Sequence, residues 1–301
     1  MTEILDSPPN LRSRLQTLIE KQHSNRELGS LFSAIFLATP LEKNTRERMT
    51  LFGVNHLVAL SGFHLGIISS VIFFILLPLY RVLQSKFFPW RDRNFDLGLL
   101  ILGMLGAFLL FVDSPPSLVR SYAMMLFGWV ALMFWMKLVS FEFLGIVVAT
   151  ILALSPAMAV SLSFWLSVAG VFYIFLILHH IRDKFLLAVT LPFLIHILMI
   201  PIAHAIFDEV SPFQWLSPIL SWLFIPFYPI SFLAHLLGFG GVMDSFLLYL
   251  WRVPLEFEHK ILPIYLLVFY LIFSLLAMKY RQFFYILIGC AVLDSAYLYL
   301  F

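Results

Sequence analysis

Long apolar runs separated by short polar strips set the pattern of this chain. The first 50 residues are the most polar part. Within them LRSRLQTLIEKQ spaces Leu11, Leu15, Leu18 and Ile19 at helical intervals among charges, as an amphipathic helix does. A second piece, Leu28 to Ala38, is apolar but shorter than the roughly 20 residues a bilayer span needs. Both read as helices lying on a membrane or on a helical bundle, or as a soluble helical hairpin. No secretory signal peptide is expected, because no apolar stretch here precedes a small-residue cleavage site.

Beyond residue 50 the apolar runs reach spanning length. The expected spans are 54–80, 95–112, 116–136, two within 141–175 that turn at Ser155-Pro156, 185–207, 215–237, 261–277 and 283–301. The expectation is about nine spans (7–10). Prolines 192, 201, 212, 218, 226 and 229 crowd two consecutive segments, and predict broken helices there. Irregular backbone at membrane depth survives where it is buried or faces a water-filled cavity.

Composition agrees with that pattern. Of 301 residues 61% are hydrophobic and 12% charged, with 33 Phe and a mean hydropathy of +0.96. No soluble core needs so much apolar surface, so the fold class is an all-α polytopic membrane protein. The net charge of +2 says little about partners. The single cysteine, Cys290, excludes an intrachain disulfide and a thiolate metal cluster. The chain divides as an amphipathic juxtamembrane segment, 1–50, and a transmembrane region, 51–301.

One stretch, Asn55 to Ser70, concentrates the candidate chemistry. On one helix at about 100° per residue, His56, His64 and Ser61 share a polar sector. Gly62 and Gly66 fall on another face, at the spacing that lets membrane helices approach closely. Ionisable side chains at membrane depth point to function by default. Arg120, early in its span, is a further candidate, or a cation snorkelling to the interface. Ser167, His196, His204 and Ser221 are weaker pathway candidates. HExxH, GxxxxGK[ST] and a paired-carboxylate site are lacking, so no cofactor and no metal is expected. Ala59-Leu-Ser-Gly62 suggests an intramembrane hydrolase only if His196 or His204 meets Ser61.

GVNHLVALSGFHLG resembles the signature of the ComEC-type competence proteins, with Gly53, His56, Ser61, Gly62, His64 and Gly66 on its positions. The resemblance extends over about residues 10–275. SLVRSYAMM matches at Arg120, Ser121 and Met124. LALSPAMAVSLSFWLSVAG matches at Pro156, Phe164, Leu166, Ser167 and Ala169. Pro201, Phe207 and Pro226 match a later region. Trp165 replaces the family's usual Gln, and Ser221 stands where Asn is usual. The resemblance implies only the membrane channel module, in a short homologue or a truncated product. The family's nuclease-like C-terminal domain is read from metal ligands that do not occur here.

The function so implied is passage of single-stranded DNA through the bacterial cytoplasmic membrane in natural transformation. It implies as partners DNA, the lipid bilayer, a DNA receptor outside and an ATP-driven motor or DNA-binding protein inside. A small-molecule or ion transporter is the alternative reading. Positive charge predicts that loops 81–93, 137–142, 179–184 and 238–260 face the cytoplasm, with the loop 279–282 and the N-terminal segment opposite.

Overall fold

Helix starts in this chain follow polar side chains that accept backbone N–H groups. In the computed structural model, which describes residues 10–300, Asn25 accepts from Glu27 N–H at 2.7 Å and Asp92 from Phe95 N–H at 2.8 Å. Ser140 and Ser161 do the same for Phe143 and Phe164, and Asp183 for Phe185 and Leu186. Each cap satisfies donors that would otherwise be orphaned, for about 1 kcal/mol. Residues 1–9 of the expected juxtamembrane segment lie outside the described residues, as does Phe301 at the end of the last expected span.

The helices in order are α1 (Leu11–Glu20), α2 (Arg26–Leu37), α3 (Lys43–Leu51), α4 (Asn55–Val58), α5 (Gly62–Phe87), α6 (Arg93–Phe111) and α7 (Pro116–Met133). They continue as α8 (Phe141–Leu154), α9 (Leu162–His180), α10 (Lys184–His204), α11 (Ser217–Leu236), α12 (Asp244–Leu250), α13 (Ile264–Ala277) and α14 (Arg281–Leu300). Two-residue strands, β1 (Glu209–Val210) and β2 (Glu258–His259), pair antiparallel, Glu209 opposite His259. The protein is thus an all-α polytopic membrane protein.

Seven helical segments among the described residues are long and apolar enough to cross a membrane, against about nine expected. The difference lies in α8 and α13, which have 14 residues each. The expected turn at Ser155-Pro156 is present, as a 3-10 turn over Pro156–Val160.

Two expectations about helix breaks are corrected. Pro192 and Pro201 lie inside a continuous α10, and Pro226 and Pro229 inside a continuous α11. A proline frees the carbonyl four residues earlier, and neighbouring groups can satisfy it. At Pro192 that carbonyl is Ala188's, which accepts from the Trp222 indole N–H at 3.3 Å. The break falls instead at 59–61, between α4 and α5, so residues 55–70 are not one helix.

The chain forms two compact units. The first comprises Met1–Met49, Asn55–Trp129 and Leu223–Pro254. Its apolar cluster is Leu60, Leu65, Ile101, Leu105, Leu109, Val112 and Leu118. Nine residues of α2 are buried, so this helix is a core element of the unit. It ends with Ala38 at φ 56°, a left-handed position without glycine. Arg12 donates to the carbonyls of Leu37 (2.8 and 3.1 Å) and Ala38 (3.4 Å), and pairs with Asp113.

The second unit comprises Thr50–Val54, Val130–Trp222 and Leu255–Phe301. Its core joins Tyr173, Leu176 and Ile177 with Leu198, Ile202, Tyr270, Phe284 and Leu287. The sidedness expected for two loops needs correction within this unit. Lys279 and Arg281 lie beside His179, His180 and Arg182, at one end of the helices. Residues 258–260 instead join 208–210, through the strand pair and through Lys260 N–H to the Asp208 carbonyl at 2.9 Å. Placing 258–260 on the same side as 179–184 fails for that reason.

Candidate functional site

The break between α4 and α5 exposes backbone carbonyls that need donors. His64, on the first turn of α5, supplies one: its Nε2–H donates to the Leu57 carbonyl at 3.0 Å. Ser117 Oγ, on α7, donates to the Leu60 carbonyl at 2.7 Å. Ser61 is the N-cap of α5, and His64 stands where a capping box usually places Glu or Gln. The His64 Nδ1 accepts from the Ser61 backbone N–H at 3.3 Å. These partners fix the neutral tautomer with hydrogen on Nε2.

His64 is fully buried, and the rings of Phe224 and Tyr228 stand edge-on to it at 5.2 and 5.1 Å. His56 is exposed on α4. The structure therefore brings Ser61 and His64 together but does not give His56, Ser61 and His64 one helical face. Ser61 Oγ lies 3.3 Å from His64 Nδ1. That lone pair is shared with the backbone N–H, as a cap requires.

The two glycines differ. A Cβ on Gly62 would lie 3.2 Å from Ser121 Oγ, tighter than ordinary contact, whereas a Cβ on Gly66 would meet nothing within 4 Å. The close approach expected at both occurs at Gly62 alone. The Gly66 carbonyl instead accepts the Ser69 and Ser70 hydroxyls at 2.9 and 2.7 Å. Arg120 is buried on α7, 9% exposed, between Ser117 and Ser121, which both touch the break. A cation snorkelling to water would not be so enclosed.

Gly53 adopts φ +66°, and its carbonyl accepts the Ser217 hydroxyl at 2.9 Å within the second unit. The weaker candidates are in that unit as well. His204 is buried, with Nε2 3.4 Å from the Tyr299 hydroxyl, which donates to Gln214 Oε1 at 2.8 Å. His196 lies 6.2 Å, centroid to centroid, from the Trp215 ring. Ser221 donates to the Ser217 carbonyl of its own helix at 2.7 Å, and Ser167 is half-buried on α9.

A second polar cluster in the first unit escapes the sequence pattern. His23 Nδ1 lies 2.8 Å from Asp244 Oδ1, and His23 Nε2 lies 3.0 Å from His235 Nε2. His235 Nδ1 lies 2.6 Å from the Ser231 carbonyl. Ser24 donates to Asp244 Oδ2 through its N–H at 2.7 Å and its hydroxyl at 2.9 Å. With Asp244 ionised, both Nδ1 atoms face lone pairs and must carry hydrogen. Burial opposes ionisation of Asp244, but the bonds from His23 and Ser24 outweigh it and hold its pKa below the usual carboxylate value. The only hint in sequence is Gly240-Gly241. A Cβ on Gly241 would collide with the Gln22 backbone carbonyl, so glycine is needed for the close approach.

Among the described residues no group of three or more His, Cys, Asp or Glu is placed to hold a metal ion. Apolar spanning helices with capped, buried polar breaks define a membrane-embedded helical protein. A family model described as Competence protein matches residues 38–295, and the chain belongs to that family. Comparison with curated proteins and with solved structures finds no match.

Proposed function

We propose that the chain is a channel module through which single-stranded DNA enters the bacterial cytoplasm during natural transformation. The observation that carries this reading is the competence-family match over residues 38–295, which includes the Gly53–Gly66 motif and most of the apolar helices. In this reading the module is non-catalytic. A DNA receptor outside delivers the strand, and an ATP-driven motor or a DNA-binding protein inside draws it in.

Moving a nucleic-acid strand requires cations for phosphates and flat surfaces for bases. Within the motif, Ser61 and His64 keep the α4–α5 break in shape, and His56 stands exposed on α4 beside it. Arg120, held beside that break, supplies positive charge. The membrane is the cytoplasmic one, and sidedness follows from charge within the second unit. One end carries Lys137, Arg182, Lys184, Lys279 and Arg281, while the end with β1 and β2 carries Lys260 among Asp208, Glu209 and Glu258. The basic end is assigned to the cytoplasm.

Transformation frequency in a strain lacking its own channel, complemented with this chain, tests the proposal. Restored transformation is expected, with Arg120→Gln reducing it at matched protein level. Lack of restoration by a membrane-inserted, folded chain overturns the assignment.

A further inference from the structure

Five basic side chains, His179, His180, Arg182, Lys279 and Arg281, line a cavity of about 600 Å³ in the second unit. The cavity lies where α9 and α13 end and α10 and α14 begin. No acidic residue lines it. The nearest carboxylate in sequence, Asp183, is committed to capping α10. Among the described residues, Arg182, Lys279 and Arg281 form no ion pair. Like charges placed together without counterions repel one another unless an anion joins them.

The floor of the cavity is fixed. His180 Nε2–H donates to the Ala277 carbonyl at 2.8 Å, and its ring stacks on Phe284 at 4.6 Å. Arg281 is held over the Tyr285 ring and donates to its hydroxyl at 3.0 Å. Lys279 lies 5.3 Å from the Tyr280 ring centre. His180 and Arg281 are thus held on helices, while Arg182 and Lys279 stand on the turns between helices.

We propose that this cavity binds the phosphate-bearing headgroup of an anionic phospholipid. Two observations favour lipid over nucleic acid. The cavity sits at the ends of apolar helices, at the depth where headgroups lie. The helices that frame it carry exposed apolar and aromatic side chains: Leu275 (63% exposed), Tyr280 (43%), Phe185 (82%) and Tyr285 (55%). Acyl chains of a lipid held at the cavity would lie along such side chains, and aromatic residues of this kind anchor helices at the interface. A DNA strand would use only the aromatic rings of that surround, whereas acyl chains also cover aliphatic side chains such as Leu275.

The test compares thermal unfolding midpoints of the full chain in mixed micelles. Phosphatidylglycerol is compared with phosphatidylcholine, inorganic phosphate and an oligothymidylate. The wild type should unfold several degrees higher with phosphatidylglycerol than with phosphatidylcholine. The combined R182Q, K279Q and R281Q variant should lose that difference and keep its midpoint in phosphatidylcholine. A phosphatidylglycerol shift that persists in the variant overturns the site. Inorganic phosphate alone reproducing the shift overturns the lipid as its source. A shift with oligothymidylate only, lost in the variant, reassigns the cavity to nucleic acid and likewise overturns the proposal. Should the combined variant fail to fold, native mass spectrometry of the wild type decides. Retained phosphatidylglycerol supports the site, and its absence after extraction from an anionic membrane refutes it.

Discussion

The two units solve the same problem by different means. In the first, short elements and a broken helix are closed by buried or half-buried polar side chains: Arg12 on the end of α2, His64 on Leu57, Ser117 on Leu60, and Asp244 on His23 and Ser24. In the second, apolar helices pack through Tyr173, Leu176, Leu198, Phe284 and Leu287, and core hydroxyls add hydrogen bonds between helices. Tyr270 donates to the Leu198 carbonyl at 2.8 Å, and Tyr173 and Ser274 pair at 2.9 Å. In a bilayer, burial of apolar side chains no longer drives helix association, because lipid is as apolar as leucine. Close fit and polar closure must hold the helices together. The first unit leans on closure and the second on fit.

The largest expected effect breaks the closure. Asp244→Ala leaves the His23 Nδ1 and Ser24 donors without their acceptor, at a cost on the order of 3 kcal/mol. The thermal midpoint in detergent should fall clearly, and Asp244→Asn should fall less. pH gives the same comparison its sign. The carboxyl pKa is lowered in the folded chain, so the stabilisation is present above the unfolded value and is lost as pH falls through the folded one. Wild type should therefore lose more stability than Asp244→Asn in acid. Parallel acid melts of the two proteins check this, and parallel slopes would refute it.

His64→Leu comes next. Leucine fills similar space but leaves the Leu57 carbonyl and the Ser61 N–H unmade, for about 1–3 kcal/mol. Gly62→Leu should act comparably, through collision with Ser121. The yield of folded, monodisperse protein measures both. Tyr270→Phe, the matching deletion in the second unit, should cost only about 0.6 kcal/mol, the average for a hydrogen bond between membrane helices. Equal losses for His64→Leu and Tyr270→Phe would erase the distinction between the units. The smallest effect belongs to Gly66→Ala, which meets open space. It should be neutral or slightly stabilising by helix propensity, and any large drop in midpoint would show that another surface covers Gly66.

How much of this could be read in the chain follows the same division. Apolar runs marked the helices of the second unit, though α8 and α13 fall short of spanning length, because hydrophobicity acts over a few residues. The α4–α5 break was hidden, since Ala59-Leu60-Ser61 contains neither glycine nor proline and a histidine takes the usual Glu position. Four prolines misled in the other direction. Nothing local in α10 shows that Trp222, 34 residues on, receives the carbonyl freed by Pro192. The contacts of His23 with His235 and Asp244 span 212 and 221 residues. No periodicity reports on a partner that distant. In the motif itself, residue types were legible and geometry was not: Ser61 and His64 meet, but the break puts His56 on a separate helix.

The shortness of α8 and α13 has a consequence for the surrounding lipid. Fourteen residues rise about 21 Å, against a hydrocarbon core of roughly 30 Å. A membrane meeting these helices has to dimple, or draw interfacial side chains inward, at a fraction of a kcal/mol per ångström of mismatch. The protein would then carry its own collar of thinned bilayer. Across such a collar the insulating layer is thinner, and the membrane voltage falls over a smaller distance, as a steeper field.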